Sequence, residues 1–547
     1  MRTFFQRVLI AALAASSCAQ EQPTVLPPAH AVRVVIKDSN IWRTHVPGSP
    51  FTVNVHVVGA PAEGSSCTCW WVDAERIPLS DPVPVSSVPT AMVSPLTTPG
   101  FLGLVFRSSR PDVAFEPQAP GQPSSVYGFA VIQAPPEIGA KEVLEVGEGS
   151  AFGLVQGRVS DPYLRMGSGP RVTGVHLKTK TWSQSTRGWG REIALRRRAG
   201  HVEMPLIHRE PWDSDDSKPI GGDQLDAIAA KFAAVLSSDA SAAARGVGWW
   251  QAGREENGGK PYERAYYFSN LLAKMKRLQA EVASAGRKVR FAYSTRGKDM
   301  REFEQLFASE AFRTCYDGLA HDPYWWPDFP APETWLPKHV KDLRTRMVAA
   351  GVGDHFLWFG EIGIPVRGTN DSSAFYGYPA KKRSVPGCSL DYAARYLVKC
   401  HALALANGVE RLYWYNYQNR GNDIDYAEHH FGLRTFSGSR ADPGHPLPAY
   451  VAYIQMLANL KGARFVGQRS PAPDVLVFEF AVTGTRQRRL LVWAAAERQV
   501  AMPLGALAAN LNEAQVQSVT DIYGANCATA IKDRQVVLSS MPLFIRL

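Results

Sequence analysis

Two glutamates stand in places where a short apolar segment ends and a carboxylate could do acid–base chemistry. Glu361 lies within the run HFLWFGEIGIPV (355–366), whose other residues are typical of a buried strand. Earlier in the chain, the run GVGWWQAGREEN places Glu255 and Glu256 just after a short apolar segment and Arg254. Burying a lone ionised carboxylate is costly, so such a group is usually paired, protonated or functional. We therefore expect Glu361 to have either a partner or a catalytic role.

A retaining glycosidase uses two carboxylates that face each other across a sugar and lie roughly 5–5.5 Å apart. One carboxylate attacks the anomeric carbon, while the other protonates the leaving oxygen and then deprotonates water. We assign nucleophilic attack to Glu361 and the acid/base role to Glu255. Glu256 is the alternative acid/base if the strand register shifts by one residue.

Polar and aromatic side chains at the ends of other apolar segments are candidate ligands for a sugar. Aromatic rings combine an apolar face with a polar edge, which suits a sugar ring. The predicted substrate-binding residues are Trp182, His208, Arg254, His321, Tyr324, Trp325, Trp414 and Asn416. No metal and no cofactor are predicted, because His429 and His430 lack a third ligand at suitable spacing.

The elements that must position these residues alternate between strand and helix. Short apolar segments and amphipathic helical patterns follow one another across 151–463, which indicates a parallel sheet. Eight such units predict an α/β fold, a (β/α)8 TIM barrel whose catalytic groups lie at the carboxyl ends of the strands. The predicted strands are 152–158, 173–182, 201–208, 246–253, 288–295, 316–324, 356–363 and 410–417.

The barrel is flanked by two regions with the alternation and turn residues of β structure. Residues 33–147 predict an N-terminal β-sandwich, and residues 465–547 predict a smaller C-terminal β-sandwich. Residues 20–32 are rich in Pro and Ala and are predicted to be a linker. The N-terminal sandwich could bind glycan or pack on the barrel, and we favour packing.

The first residues, 1–19, have the pattern of a signal peptide. Arg2 and Arg7 supply the charged region, and the apolar run VLIAALAA that follows is too short to span a bilayer. Cleavage after Ala19 would give a soluble exported protein. Alternatively, ASSC resembles a lipoprotein signal, with Cys18 acylated as a lipid anchor. The predicted location is therefore periplasmic or extracellular, with an outer-membrane lipoprotein as the alternative.

Composition limits the choice of partners. The chain has 547 residues and a net charge of +10, yet no compact basic run or nucleic-acid motif. A solvated basic surface accounts for this charge, and the predicted partner is a carbohydrate. The seven cysteines have no metal-site spacing, and their pairing cannot be assigned from sequence. The sequence does not indicate an oligomeric state.

The order and spacing of these motifs resemble those of the clan A glycoside hydrolases, particularly the family 39-like branch, with similarity to families 51 and 79. The resemblance covers about 151–547. Those enzymes read W-E-x-G-N-E-P-N at the fourth strand, where WQAGREEN stands here, and this maps Glu255 onto the acid/base. Their nucleophile motif, E-x-G, is matched by Glu361 and Gly363.

Two further motifs carry the resemblance. The sixth-strand pattern D-x-x-x-x-H-x-Y is matched by Asp317, His321 and Tyr324. The family also has a Trp on the eighth strand that lines the sugar site, and Trp414 takes that position. The resemblance implies that these side chains surround the sugar beside the nucleophile.

The chain departs from the family pattern beside the acid/base. Arg254 replaces an Asn that contacts the sugar 2-hydroxyl, and Glu256 replaces a Pro. Arginine is a longer, permanently charged donor that could bind a hydroxyl or the carboxylate of a uronic acid. The sugar, the linkage and endo or exo action therefore stay open. Two alternatives remain: a non-catalytic carbohydrate-binding envelope protein on a decayed barrel, and a transglycosylase.

Overall fold

The structure is a computed structural model that describes residues 30–132, 206–207, 249–252, 280 and 290–547, with short gaps. The gaps are 39, 41–42, 60–64, 111–112, 117–125, 298–299, 309, 326–328, 367–373, 377–383, 387, 422–425, 437–443, 461–462, 483, 496–497 and 510.

The N-terminal region consists of two sheets. The strands are β1 (His30–Lys37), β2 (Thr44–His45), β3 (Thr52–Val58), β4 (Cys67–Val72), β5 (Val83–Val85), β6 (Thr90–Val93), β7 (Gly100–Ser108), β8 (Val113–Glu116) and β9 (Val126–Val131). One sheet has the order β6-β3-β1-β8 and the other β2-β9-β7-β4-β5. Alternate residues of both sheets, such as Val53 and Val55 on β3 and Leu102 and Leu104 on β7, share one core.

The central region contains a six-stranded parallel sheet. Its strands are β10 (Leu206–Ile207), β11 (Trp249–Ala252), β12 (Arg290–Arg296), β13 (Gly318–Asp322), β14 (Phe356–Ile362) and, after the hairpin strands β15 (Ala374–Tyr376) and β16 (Ser384–Pro386), β17 (Arg411–Trp414). Each of the six pairs in parallel with the next along the chain. They correspond to the third to eighth predicted barrel strands.

A parallel sheet whose strand order follows the chain without reversal differs from a doubly wound sheet, in which the order reverses at a switch point. Barrel strands follow the chain in this way. The first two predicted strands, 152–158 and 173–182, lie outside the described residues. Closure into an eight-stranded barrel therefore stays a prediction, while the mixed α/β content is observed.

Helices cover one face of this sheet. The described α-helices are α1 (Met300–Ala308), α2 (Glu310–Cys315), α3 (Pro332–Ala349), α4 (Leu390–Ala406), α5 (Pro448–Leu460) and α6 (Leu504–Leu507). α3 begins with proline in its first turn, and the Ser389 side chain caps α4 by accepting a hydrogen bond from the Tyr392 amide. None of the described helices combines the length and apolar character needed to cross a membrane.

Two faces of the parallel sheet carry different side chains. On one face, Ala292, Ala320, Phe356, Trp358 and Tyr413 form a separate small cluster. The two alanines come from the adjacent strands β12 and β13, and the three aromatic residues come from β14 and β17. On the other face, the intervening residues of the same strands join the large core shared with the helices. We call these the inner face and the helix face.

The C-terminal region again consists of two sheets. Its strands are β18 (Ala463–Arg469), β19 (Val475–Val482), β20 (Arg488–Ala494), β21 (Val500–Pro503), β22 (Ser518–Asp521), β23 (Ile531–Lys532), β24 (Gln535–Leu538) and β25 (Leu543–Arg546). The orders are β18-β19-β20-β25-β22 and β21-β24-β23. Residues from both sheets, including Val477, Val492 and Val536, share one core.

Both flanking regions pack against the central region through polar contacts. Glu333 on α3 accepts a hydrogen bond from the Trp493 indole at 2.8 Å and pairs with Lys399 at 2.8 Å. On the other side, His445 bonds the Gly128 carbonyl at 3.1 Å. The observed packing of the N-terminal region is compatible with the packing role that we favour for it.

Candidate active site

Glu361 lies near the carboxyl end of β14, at an irregularity in strand pairing. Phe359 pairs with Leu412 and Ile362 pairs with Trp414, so β14 contains one more residue than β17 between these pairs. Simple alternation would place Glu361 on the same face as Leu357 and Phe359, which belong to the helix-face core. A bulge changes the direction of the extra residue. This bulge allows the half-buried Glu361 to point away from the helix face.

Tyr324 connects the end of the neighbouring strand β13 to this carboxylate. Its hydroxyl donates a hydrogen bond to Oε2 of Glu361 at 3.2 Å. Burial raises the pKa of Tyr324 well above its usual value, and the nearby charge of Glu361 adds to this effect. Tyr324 therefore stays protonated at any pH at which the protein would work. A permanent donor beside a carboxylate stabilises its ionised form.

A second polar group lies beside the first, after the end of β17. The Tyr415 hydroxyl donates to Oε2 of Glu428 at 3.0 Å and accepts a hydrogen bond from Nη1 of Arg420 at 3.2 Å. Burial, together with the charge of Glu428, raises the pKa of Tyr415. Alternation along β17 explains the position of Tyr415, because Tyr413 is on the inner face and Trp414 is on the helix face.

Gly363 brings the exits of β14 and β17 together. The Tyr415 amide donates to the Ile362 carbonyl at 2.8 Å. A Cβ on Gly363 would lie 1.9 Å from the carbonyl oxygen of Tyr415, which is far inside contact distance. The glycine of the E-x-G motif is therefore explained by close backbone approach. It permits the strand carrying Glu361 to lie directly against the backbone of Tyr415, which belongs to the second polar group.

His321 occupies a different environment from the predicted one. It is fully buried on the helix face, where its ring packs edge-on against Phe303 of α1 at 5.0 Å. One ring nitrogen lies 3.0 Å from the Thr295 hydroxyl and the other 2.8 Å from Nε2 of His339 on α3. Protein groups occupy both nitrogens, as in a packed core histidine, and the predicted sugar contact of His321 stays a prediction.

Trp414 and Asn416 are also buried, and their predicted sugar contacts likewise stay predictions. Trp414 is 2% exposed and packs on the helix face against Tyr396 and His401 of α4. The Asn416 side chain accepts a hydrogen bond from the amide of Tyr417 at 2.7 Å. In this structure neither side chain presents a surface to a sugar. The physical reason is strand alternation, which turns residue 414 toward the helices and residue 415 toward the site.

Trp325 remains a candidate for contact with substrate. It is half-buried, and its ring stacks on Trp335 of α3 with the ring centres 5.0 Å apart. It follows Tyr324 directly, so it lies at the same end of the sheet as Glu361. The backing ring of Trp335 would hold an aromatic surface in a fixed orientation.

Four predicted site residues and the alternative acid/base lie outside the described residues, and their assignments stay predictions. They are Trp182, His208, Arg254, Glu255 and Glu256. The described part of β11, Trp249–Ala252, ends two residues before Arg254. The predicted acid/base therefore follows the carboxyl end of a strand three places from β14 in the sheet.

Sequence reasoning did not select four residues that the structure places around Glu361. Asp322 ends β13 two residues after the inner-face Ala320, and its charge contributes to the raised pKa of Tyr324. Tyr415, Arg420 and Glu428 form the second polar group. Alternation from Ala320 and Tyr413 would have indicated Asp322 and Tyr415. The loop residues Arg420 and Glu428 carried no such signal.

No metal or cofactor site is evident in the part of the chain that the structure describes. There, no three side chains of His, Cys, Asp or Glu come together in a way that could hold a metal ion. Cys67, Cys69, Cys388, Cys400 and Cys527 are free thiols. The chemistry available around Glu361 is that of carboxylates, phenols and one guanidinium, which suits proton transfer and nucleophilic attack.

Comparison with known proteins gives only distant likenesses. No protein-family model matches the chain, and no curated protein matches it. A Cellulomonas fimi endo-beta-1,4-mannanase double mutant has a TM-score of 0.35 and 18% identity, covering 74% of this chain and 89% of that one. A variant of AmyP in complex with maltotriose has a TM-score of 0.31 and 10% identity, covering 64% and 77%. At such TM-scores neither likeness decides the function.

Proposed function

We propose that the protein is an exported retaining glycoside hydrolase in which Glu361 is the nucleophile and Glu255 is the acid/base. The observation that carries the proposal is the position of Glu361. This half-buried carboxylate lies near the carboxyl end of a parallel strand and accepts a hydrogen bond from Tyr324 of the adjacent strand region. In a barrel, that end of the sheet is where catalytic groups lie.

The reaction would proceed in two steps. A carboxylate oxygen of Glu361 attacks the anomeric carbon, and the glycosidic bond breaks as Glu255 transfers its proton to the leaving oxygen. Water then attacks the same carbon of the glycosyl-enzyme, Glu255 takes the proton of that water, and Glu361 leaves as a carboxylate. Both residues return to their starting protonation states, and the anomeric configuration is retained.

Tyr324 has a defined part in this scheme. While Glu361 is ionised, the Tyr324 hydroxyl donates to it and favours the charged form that attack requires. When Glu361 becomes an ester, its negative charge is lost and this hydrogen bond weakens. Tyr324 therefore stabilises the free carboxylate in the resting state and again as it leaves in the second step.

The substrate class is an oligo- or polysaccharide with O-glycosidic bonds. Trp325 would supply an aromatic surface for a sugar ring, and Arg254 would bind either a hydroxyl or a uronic acid carboxylate. A transglycosylase would use the same residues with a sugar hydroxyl in place of water. The two activities therefore differ only in the acceptor of the second step.

The first experiment is a screen of 2,4-dinitrophenyl glycosides and of plant and bacterial polysaccharides, with product configuration read by NMR. Wild-type protein should give a product of retained configuration. Glu361→Ala should lose on the order of 10⁴-fold or more of turnover, since a covalent nucleophile is removed. Azide should restore part of this turnover on the dinitrophenyl substrate and yield a glycosyl azide.

The acid/base is identified by a second comparison. Glu255→Ala should lose most of kcat/KM on a natural glycan but little of kcat/KM on a dinitrophenyl glycoside, whose leaving group needs no proton, while kcat falls on both because the second step loses its base. Glu256→Ala is the matched control and should keep most activity on both. The reverse result would move the role to Glu256. Near-full activity of Glu361→Ala on all substrates would overturn the mechanism.

A further inference from the structure

Tyr415, Glu428 and Arg420 form a hydrogen-bonded unit of opposite charges that the two-carboxylate mechanism does not use. The Tyr415 hydroxyl lies between the other two, donating to Glu428 at 3.0 Å and accepting from Arg420 at 3.2 Å. A phenol held in this way has both its donor and its acceptor function occupied by protein. Its function is therefore to link two charged side chains.

This unit is in contact with the tyrosine that holds Glu361. The Tyr324 and Tyr415 rings meet edge to face at 6.5 Å, and both pack against Phe431, at 6.1 and 5.3 Å. Burial works to lower the pKa of Arg420, but its contact with Tyr415 and the charges of Glu428 and Glu361 raise it overall. The charges of Glu361 and Arg420 are therefore close enough to affect each other.

The loop that carries the unit is braced by close packing. Glu428 belongs to a single 3-10 turn, Ala427–His429. A Cβ on Gly421 would lie 2.5 Å from the His429 ring, and the Gly432 amide donates to the Asn419 side chain at 2.7 Å. These contacts join the segments before and after Glu428. The positions of both charged residues relative to Tyr415 are thus determined by the fold.

We propose that Arg420 and Glu428 are positioning residues that hold opposite charges on either side of the Tyr415 hydroxyl and so tune the charge of Glu361. The inference rests on the proposed function, because it concerns the ionisation of the proposed nucleophile. The cation favours the negative form of Glu361, and the anion opposes it. Together they adjust the pH at which the nucleophile becomes available.

The size of the effect follows from exposure. Glu428 is half-buried, whereas a larger part of the Arg420 side chain is exposed, so that solvent partly screens its charge. Charges separated by several ångströms near a protein surface interact weakly enough to move a neighbouring pKa by less than about one unit. We therefore expect shifts of roughly 0.3 to 1 unit, with the Arg420 contribution more sensitive to salt.

The test measures how kcat/KM depends on pH, on the dinitrophenyl glycoside that wild-type protein hydrolyses fastest, and compares the acid limb of the profile between variants. With this leaving group the limb reports ionisation of the nucleophile, since no general acid is needed. Arg420→Gln should move the limb to higher pH, and Glu428→Gln should move it to lower pH, each by roughly 0.3 to 1 unit. In 0.5 M NaCl the shift of Arg420→Gln should fall by about half.

Conservative and remote variants separate charge from folding. Arg420→Lys keeps the charge and should leave the limb within about 0.2 unit of wild type. Arg464→Gln on the exposed side of β18 and Glu310→Gln at the start of α2 remove the same charges elsewhere and should not shift it. Opposite shifts in the two site variants are the supporting result, because general loosening of the loop would move both limbs alike.

Carbon-13 NMR of protein labelled at the glutamate carboxyl gives a readout that does not need turnover. The resonance lost in Glu361→Gln identifies the nucleophile, and its titration should shift upward in Arg420→Gln and downward in Glu428→Gln. No shift, or shifts of the same sign, would overturn the inference while the mechanism stands. Full activity in Glu361→Ala would instead overturn the mechanism, and the inference with it.

Discussion

Two polar pairs differ in how completely the protein surrounds them: one joins β13 to α3, and the other joins the ends of β13 and β14. His321 and His339 meet on the helix face, where His321 is 0% exposed and both its ring nitrogens have protein partners. Tyr324 and Glu361 meet beyond the strand ends, and Glu361 stays half-buried. A polar group whose partners are all internal supports the fold, whereas one that remains partly open can act on a ligand.

The largest expected difference in stability between the helix face and the strand ends is that between two tryptophan substitutions. Trp414→Ala should reduce the free energy of unfolding by about 3–5 kcal/mol, because it leaves a cavity between β17 and α4. Trp325→Ala should cost less, about 1–2 kcal/mol, since that ring is half-buried and backed on one side by Trp335. Urea unfolding followed by fluorescence measures both.

The same two substitutions should affect KM in the opposite order. Trp325→Ala should raise KM for a polysaccharide substrate, whereas folded Trp414→Ala should keep a KM close to wild type at low temperature. A larger loss of stability in Trp325→Ala than in Trp414→Ala would contradict the assignment of the two faces.

The histidine pair predicts a loss of stability in acid. Burial lowers the pKa of His339 from 6.5 to about 4, and nearby Asp342 and Lys338 have smaller effects. Burial also lowers the pKa of His321 well below its usual value, and the neighbouring His339 adds to this shift. A lowered histidine pKa makes the unfolded state bind protons first. The contribution of these neutral histidines to the free energy of unfolding is fully present above about pH 6.5 and is lost as the pH falls toward 4.

At pH 5.5 the loss attributable to His339 should reach about 1–1.5 kcal/mol relative to pH 7.5. His339→Gln can still donate to His321 but cannot titrate, so its urea midpoint should depend less on pH over this range. His56→Gln in the N-terminal sheets is the matched control and should keep the wild-type dependence. An unchanged pH dependence in His339→Gln would show that the pair does not titrate with unfolding.

The smallest effect on the fold, with a distinct effect on turnover, is expected at Tyr324. Tyr324→Phe removes one hydroxyl bonded to Glu361 and keeps the ring contacts with Tyr415 and Phe431. A hydrogen bond to a charged group contributes about 1.5–3 kcal/mol, so kcat/KM should fall roughly 10- to 150-fold. Thermal stability should change by less than about 3 °C. Equal losses of activity in Tyr324→Phe and Glu361→Ala would contradict a supporting role.

Much of the fold was accessible from the sequence because apolar periodicity determines which elements form. The predicted strand 356–363 contains β14, and α4 lies between the seventh and eighth predicted strands, where the alternation predicts a helix. β4, which lies between β7 and β5 in its sheet, has a weaker sequence signal. Its sequence, CTCWWV, ends in three consecutive large apolar residues, which obscures the alternation of a sandwich strand.

The site was less accessible, for two physical reasons. Polar residues at a strand end can face either side, so His321 and Tyr324 looked alike although one contacts α3 and the other Glu361. Loop residues come into contact only through tertiary structure. Arg420 and Glu428 reach the same hydroxyl because the segments that carry them pack together, and no local pattern marks them.

At the bulge between Phe359 and Ile362, the number of residues in the strand determines the direction in which Glu361 points. Removing one residue from this stretch would restore regular pairing and turn Glu361 toward the helices, while the chain kept every other side chain of the proposed mechanism. Such a deletion variant would keep the side chains of the proposed mechanism and still be inactive. A one-residue deletion between Phe359 and Ile362 should therefore abolish the proposed activity as fully as a substitution of Glu361.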